Sequence, residues 1–146
     1  MHLNDAGHMV QRHWLEIPSH HQSIDLDAFV VMPNHLHGIV FLREAEPTSP
    51  VSLSGVIGAF KSRVAVDYSA GVRAGHYPVY DRSLWQRSFS DRIVQSDRRL
   101  ETLRQYVEGN PGRWQDKLDA RPGRASGRRL DGSPVTGTRP VTTRRQ

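Results

Sequence analysis

The stretch from Ile24 to Leu42 constrains the fold most strongly. Ile-Asp-Leu-Asp-Ala-Phe-Val-Val-Met, residues 24–32, opens as a strict alternation and closes fully apolar, the pattern of a strand entering a buried sheet. Pro33-Asn34 follows, where proline presets φ for a turn and asparagine tolerates unusual backbone angles. His35 to Leu42 then returns as the second strand of a hairpin. Whatever this chain folds into is built around that hairpin.

The flanking periodicity supplies helices. Asn4 or Asp5 caps one in which Ala6, Met9, Val10, His13, Trp14 and Ile17 share a stripe, stopping at Pro18. After a polar, proline-bearing loop over 44–50, Leu53, Val56, Ile57, Phe60 and Val64 recur at helical spacing, giving a second helix to about Tyr68. A glycine- and aromatic-bearing loop over 71–80 precedes a strand from Leu84 to Val94, with Trp85, Phe89 and Ile93 on one parity. Asp97 caps a last helix with the stripe Leu100, Leu103 and Val107, ending around Gly109-Asn110-Pro111. The order helix, strand, strand, helix, strand, helix predicts an α+β fold, with helices packed on one face of a mainly antiparallel sheet. Three strands make a thin sheet, as though one were missing.

Composition narrows the chemistry. A chain of 146 residues suits one domain. The absence of cysteine removes disulfides, thiolate nucleophiles and cysteine-held zinc or iron–sulfur sites. No apolar run is long enough for a bilayer and the N-terminus lacks a signal-peptide core, so the expectation is a cytoplasmic protein without a membrane. The net charge is +5, and arginine supplies most of the basic residues, which suits a polyanionic partner. The excess is localised: residues 1–114 carry 12 Lys+Arg against 12 Asp+Glu, and residues 115–146 carry 8 against 3. That second segment is rich in glycine and proline and poor in large apolar residues. The chain is therefore expected to divide into a folded domain, 1–114, and a basic disordered tail, 115–146, adding salt-sensitive affinity for nucleic acid.

Two constellations carry possible chemistry. In His35-Leu36-His37 both imidazoles project to one face of a strand, with Leu36 buried behind them. Two neutral imidazoles form half of a divalent-metal site, although a bare His-x-His is more often a solvent-facing pair. Tyr106 and Asn110 lie one helical turn apart, so phenol and amide converge on one face. A tyrosine flanking an apolar stripe is more often merely half-buried, and its hydroxyl, with a pKa near ~10, is a poor nucleophile unaided.

Other residues read two ways. Arg98, Arg99 and Arg104, like Lys61 and Arg63, are solvated faces or phosphate contacts. Trp85-Gln86-Arg87 is core or a stacking platform for single strands. Asp25 and Asp27 share a parity that faces solvent, and His13 has no spaced partner and takes no metal role. Neither a glycine-rich phosphate loop nor a Gly-x-Ser-x-Gly elbow is present.

Taken together, Phe29-Val-Val-Met-Pro-Asn-His-Leu-His-Gly38 resembles the histidine motif of the single-tyrosine HUH transposases, in particular the REP-associated tyrosine transposases. Ile57-Gly-Ala-Phe-Lys-Ser62, Leu84-Trp-Gln-Arg-Ser-Phe89 with Asp91-Arg-Ile-Val94, and Leu103-Arg-Gln-Tyr-Val-Glu-Gly-Asn-Pro-Gly-Arg-Trp114 resemble further segments of that family, in order. The resemblance runs from about Leu3 to Trp114. It implies a ferredoxin-like fold in which His35 and His37, with Asn110, bind Mg²⁺ or Mn²⁺. It also implies that Tyr106 attacks single-stranded DNA, often beside a hairpin, to give a 5′-phosphotyrosine link. The protein would be a monomer or homodimer. Relatives begin with an additional strand of the central sheet, so this chain is expected to be N-terminally shortened. The expectations are thus a DNA-cleaving and rejoining enzyme, or alternatively a non-catalytic remnant that binds single-stranded DNA. A third reading, a hydrolase using the histidine pair and water, would cleave without forming an adduct.

Overall fold

The computed structural model describes residues 2–43, 51–119 and 138–145. Helix α1 (Asp5–Leu15) is capped by Asn4, whose side-chain oxygen accepts from the Gly7 N–H at 2.8 Å. Asp5 instead sits in the first turn, where a carboxylate suits the positive end of the helix dipole. Ala6, Met9, Val10, His13 and Trp14 form its buried face, the stripe that the sequence predicts. Pro18 does not simply end the helix. It lies in the first turn of the short helix α2 (Ile17–His20), where its missing N–H costs nothing.

Strands β1 (Ile24–Met32) and β2 (His35–Leu42) form the expected antiparallel hairpin, pairing Met32 with His35 and Val30 with His37. Helix α3 (Leu53–Arg73) starts at Ser52, which accepts from the Gly55 N–H. It runs beyond the predicted end because Tyr68 is buried against Tyr77 and Tyr80, and its hydroxyl donates to the Pro78 carbonyl. The strand expected over 84–94 shrinks to β3 (Asp91–Ile93). Trp85 packs on Phe60 and donates its indole N–H to the Lys61 carbonyl, while the Lys61 ammonium donates to the carbonyls of Gln86 and Ser88. The aromatic parity thus reflects a loop docked on α3. A side chain, not a neighbouring strand, satisfies those backbone oxygens. Helix α4 (Asp97–Glu108), capped by Ser96, leads through Gly109 into α5 (Asn110–Asp119). The last element is β4 (Thr138–Arg145).

Among the described residues the sheet order is β1-β2-β4-β3, with β4 parallel to both β2 and β3. The α+β class stands, and the sheet is mixed, not mainly antiparallel. Residues 115–146, expected as a tail, are described in part. Residues 115–119 continue α5, and residues 138–145 form an inner strand that fills the gap of the thin sheet. Composition misleads here because β4 gains its order from backbone ladders on both sides, helped by the β-branched run Val141-Thr142-Thr143. Pro140, unsuited to a central ladder, falls where the register slips between the Leu36–Thr138 and Gly38–Val141 pairs. Residues 120–137 of the expected tail lie outside the described residues.

Helices cover both faces of the sheet, where one was expected. Leu36 and Val40 of β2 join Trp14 of α1 and Phe60 of α3 in the larger core. Ile39, of opposite parity, packs with Val94, Leu100 and Val107 on the α4 side. A strand buried on both faces needs both layers. Gly38 lies directly under the Trp14 side chain of α1: a Cβ there would stand 2.3 Å from its ring. No helix among the described residues is long and apolar enough to cross a membrane.

Candidate active site

Because Leu36 and Val40 point into the larger core, His35 and His37 project from the opposite face of β2. Both imidazoles are buried, and their ring centroids are 4.7 Å apart at 85°. His35 Nδ1 lies 2.5 Å from the Asn34 side-chain oxygen. A proton on Nδ1 makes this a hydrogen bond donated to the amide and leaves Nε2 with its lone pair for a cation. The turn residue read from the sequence only for its backbone thus also orients the first histidine.

Tyr106 comes from α4, on the layer that faces the histidines. Its ring centroid is 5.6 Å from that of His37, and the residue is 43% exposed, so it is open to solvent while touching the buried His37. Leu100 and Val107 anchor the same helix in the smaller core. The helical period continues through the junction because Gly109 keeps helical angles, with φ −79 and ψ −3. Tyr106, Asn110, Arg113 and Trp114 therefore follow the spacing i, i+4, i+7, i+8 and share a face. Asn110 is buried, and its Nδ2 has no hydrogen-bond partner. Trp114 packs its ring 5.7 Å from His35, and the Arg113 guanidinium lies 5.0 Å over the Tyr106 ring. The sequence reading ended the helix at Gly109-Asn110-Pro111 and missed the last two residues. The same period carried across that junction finds both.

The layer bearing Tyr106 is tied to the hairpin electrostatically. Arg104 donates to both carboxylate oxygens of Asp27 on β1, at 3.1, 3.0 and 2.6 Å. Partial burial pushes the Asp27 carboxyl up, but the Arg104 hydrogen bonds, the Ala28 N–H and the Arg104 charge outweigh it and hold the pKa below its ordinary value. Those same Asp27 contacts raise the Arg104 pKa. Asp27 therefore does not face solvent, and Arg104 is not simply a solvated cation. Asp25 does lie at the surface, paired with Arg43. Lys61 is likewise structural, its pKa lowered by burial beside Trp85. His13 binds Asp67 at 2.8 Å between α1 and α3, away from the His35–His37 pair.

Comparison with known proteins decides the family. The sequence profile described as "Transposase IS200 like" matches residues 8–110. The chain belongs to the IS200-like transposase family. This suggests DNA transposition, with DNA as a partner and generally metal-dependent chemistry. The match carries the family and not its REP-associated branch. A Haemophilus influenzae protein (strain ATCC 51907 / DSM 11121 / KW20 / Rd), described as uncharacterized, is 30% identical over 132 residues, covering 81% of this chain and 72% of its own. No solved structure matches significantly.

The residues of this transposase fit a hard divalent ion in a specific way. Among the described residues no three His, Cys, Asp or Glu side chains gather, which leaves a place for a third ligand of another type. Asn110 is of that type: it is buried, and the atom left without a partner belongs to an amide that presents an oxygen when rotated by half a turn. An amide oxygen with two imidazoles suits Mg²⁺ or Mn²⁺.

Proposed function

We propose that this transposase cleaves and rejoins single-stranded DNA through a covalent tyrosine link. The observation that carries it is the approach of Tyr106 to His37, 5.6 Å between rings, with His35 another 4.7 Å beyond. A nucleophile and a cation-binding pair that arise from different layers meet at one point. The 43% exposure of Tyr106 leaves room for a DNA strand.

His35, His37 and Asn110 would hold a divalent ion, which when bound supplies polarisation of the phosphoryl oxygen. Tyr106 Oη attacks the scissile phosphorus, and the bond from phosphorus to the 3′-oxygen breaks. The phenol gives up its proton to solvent and the departing 3′-oxygen takes one up, leaving a free 3′-hydroxyl and a 5′-phosphotyrosine. Rejoining runs the same exchange backwards with a new 3′-hydroxyl, so the bond energy is kept and no nucleotide cofactor is needed. Asn34 holds the His35 ring, and Trp114 closes its outer side.

The test is incubation of the full chain with Mn²⁺ and a pool of single-stranded hairpin oligonucleotides with randomised flanks. A denaturation-resistant protein–DNA adduct is expected, and it disappears in Tyr106→Phe. An adduct that persists in Tyr106→Phe removes Tyr106 as nucleophile; cleavage without any adduct favours the hydrolase.

A further inference from the structure

We propose that Arg113 is the group that grips the scissile phosphate beside Tyr106. The inference rests on Tyr106 being the nucleophile and adds a residue to which the sequence pattern assigns no role. Four observations carry it. The Arg113 guanidinium lies 5.0 Å over the Tyr106 ring, which puts a cation beside the phenol. Its backbone N–H donates to the Gly109 carbonyl at 3.3 Å, which fixes it in the first turn of α5, two helical turns beyond Tyr106. Side chains tilt toward the helix N-terminus, so a long arginine there reaches back along the face that Tyr106 occupies.

The third observation is that Arg113 is exposed and makes no ion pair with a carboxylate among the described residues. Arg104, two residues before Tyr106, shows the opposite arrangement: its fork is already taken by Asp27. The fourth is position. Arg113 and Trp114 are consecutive, with Arg113 against Tyr106 and Trp114 against His35, so α5 covers the site along its length. A planar guanidinium with free N–H donors, lying over an aromatic ring at a solvent-open site, matches the two non-bridging oxygens of a phosphodiester. In that place it orients the phosphorus toward Oη and offsets the negative charge that grows as the phosphorane forms. Its partner is a phosphate of the strand being cleaved, not a base.

The experiment uses the full chain and the same hairpin pool. Arg113→Gln, which keeps size and loses charge, is expected to slow adduct formation about 100-fold, the scale of losing one oriented donor. Arg113→Lys restores only part, because an ammonium lacks the fork. In a Tyr106→Phe background, where no adduct can form, Arg113→Gln is expected to weaken binding of the pool and reduce the slope of log affinity against log salt by about 1. Circular dichroism of Arg113→Gln and Arg113→Ala checks that the fold is kept. Unchanged adduct rate in both variants, with an unchanged salt slope, overturns the proposal. If the parent itself forms no adduct, the tyrosine mechanism falls, and the salt slope still decides whether Arg113 holds a phosphate.

Discussion

Arg104 of α4 and Asp27 of β1, 77 residues apart in the chain, meet in a forked ion pair that joins the tyrosine layer to the histidine hairpin. Tyr106 is only two residues beyond Arg104, so this pair and the small core of Ile39, Val94, Leu100 and Val107 set the distance between phenol and imidazoles. Arg104→Gln is expected to lower the melting temperature and slow adduct formation together. Unchanged thermal melts in Arg104→Gln would show that the small core alone holds α4.

The same pair gives an acid dependence with a definite sign. The folded pKa of Asp27 lies below its unfolded value, so its stabilisation is fully present above the ordinary carboxylate range, about 3.9. It is lost as pH falls through the depressed folded value. Asp27→Asn should be less stable than the parent near neutrality, with the difference shrinking in acid. Denaturant melts across pH 2 to 7, on the order of half a unit apart, read this directly.

Asn34 is expected to matter for cation affinity through His35 alone. Asn34→Ala should weaken Mn²⁺ binding measured by calorimetry about 10-fold, the lower end for loss of an orienting partner, whereas His35→Ala or His37→Ala should abolish it. Equal affinity in Asn34→Ala and parent would mean that the ring is held by its neighbours Trp114 and His37.

Gly38 has no room for a side chain. A methyl group there would stand 2.3 Å and 2.8 Å from two carbons of the Trp14 ring, which is fully buried. Gly38→Ala should destabilise the fold by about 1–3 kcal/mol by overpacking. Trp14→Phe removes the atoms it meets. In a double-mutant cycle the pair should cost less than the sum of the two changes.

The sheet is expected to depend on residues 138–145. In β3, Asp91, Arg92 and Ile93 pair with Val141, Thr142 and Thr143, and β4 is their strand partner among the described residues. Removing residues 138–146 should therefore abolish hydrogen-exchange protection over 91–93 and lower the melting temperature. Retained protection there would mean that β3 is held from elsewhere.

Local signals were legible in the sequence, and pairings across long separations were not. The hairpin, the Asn4 cap, the α1 stripe and the shared face of His35 and His37 follow from periods of two and 3.6 residues, which are properties of neighbours. The parity of Trp85 and Phe89 looked like a strand because a loop docked by Lys61 also alternates. Asp27 seemed solvent-facing because its partner Arg104 lies in another element. Arg113 and Trp114 were hidden by Gly109-Asn110-Pro111, which reads as a stop but keeps helical angles. Charge and composition spoke against order in β4, and neither contains the open ladder edges of β2 and β3.

The position of β4 has a consequence for how the molecule comes into being. The strand at the interior of the sheet is later in sequence than every element it joins. While the ribosome works, β2 presents one unsatisfied edge and β3 has no ladder at all, however well the helices have already formed. The sheet closes only after residues 138–145 have been made and have found a slot between segments synthesised long before. Such late, non-local closure is slow, and an open edge in the meantime invites pairing with other chains. Synthesis itself therefore delays the moment at which β2 and β3 share one sheet.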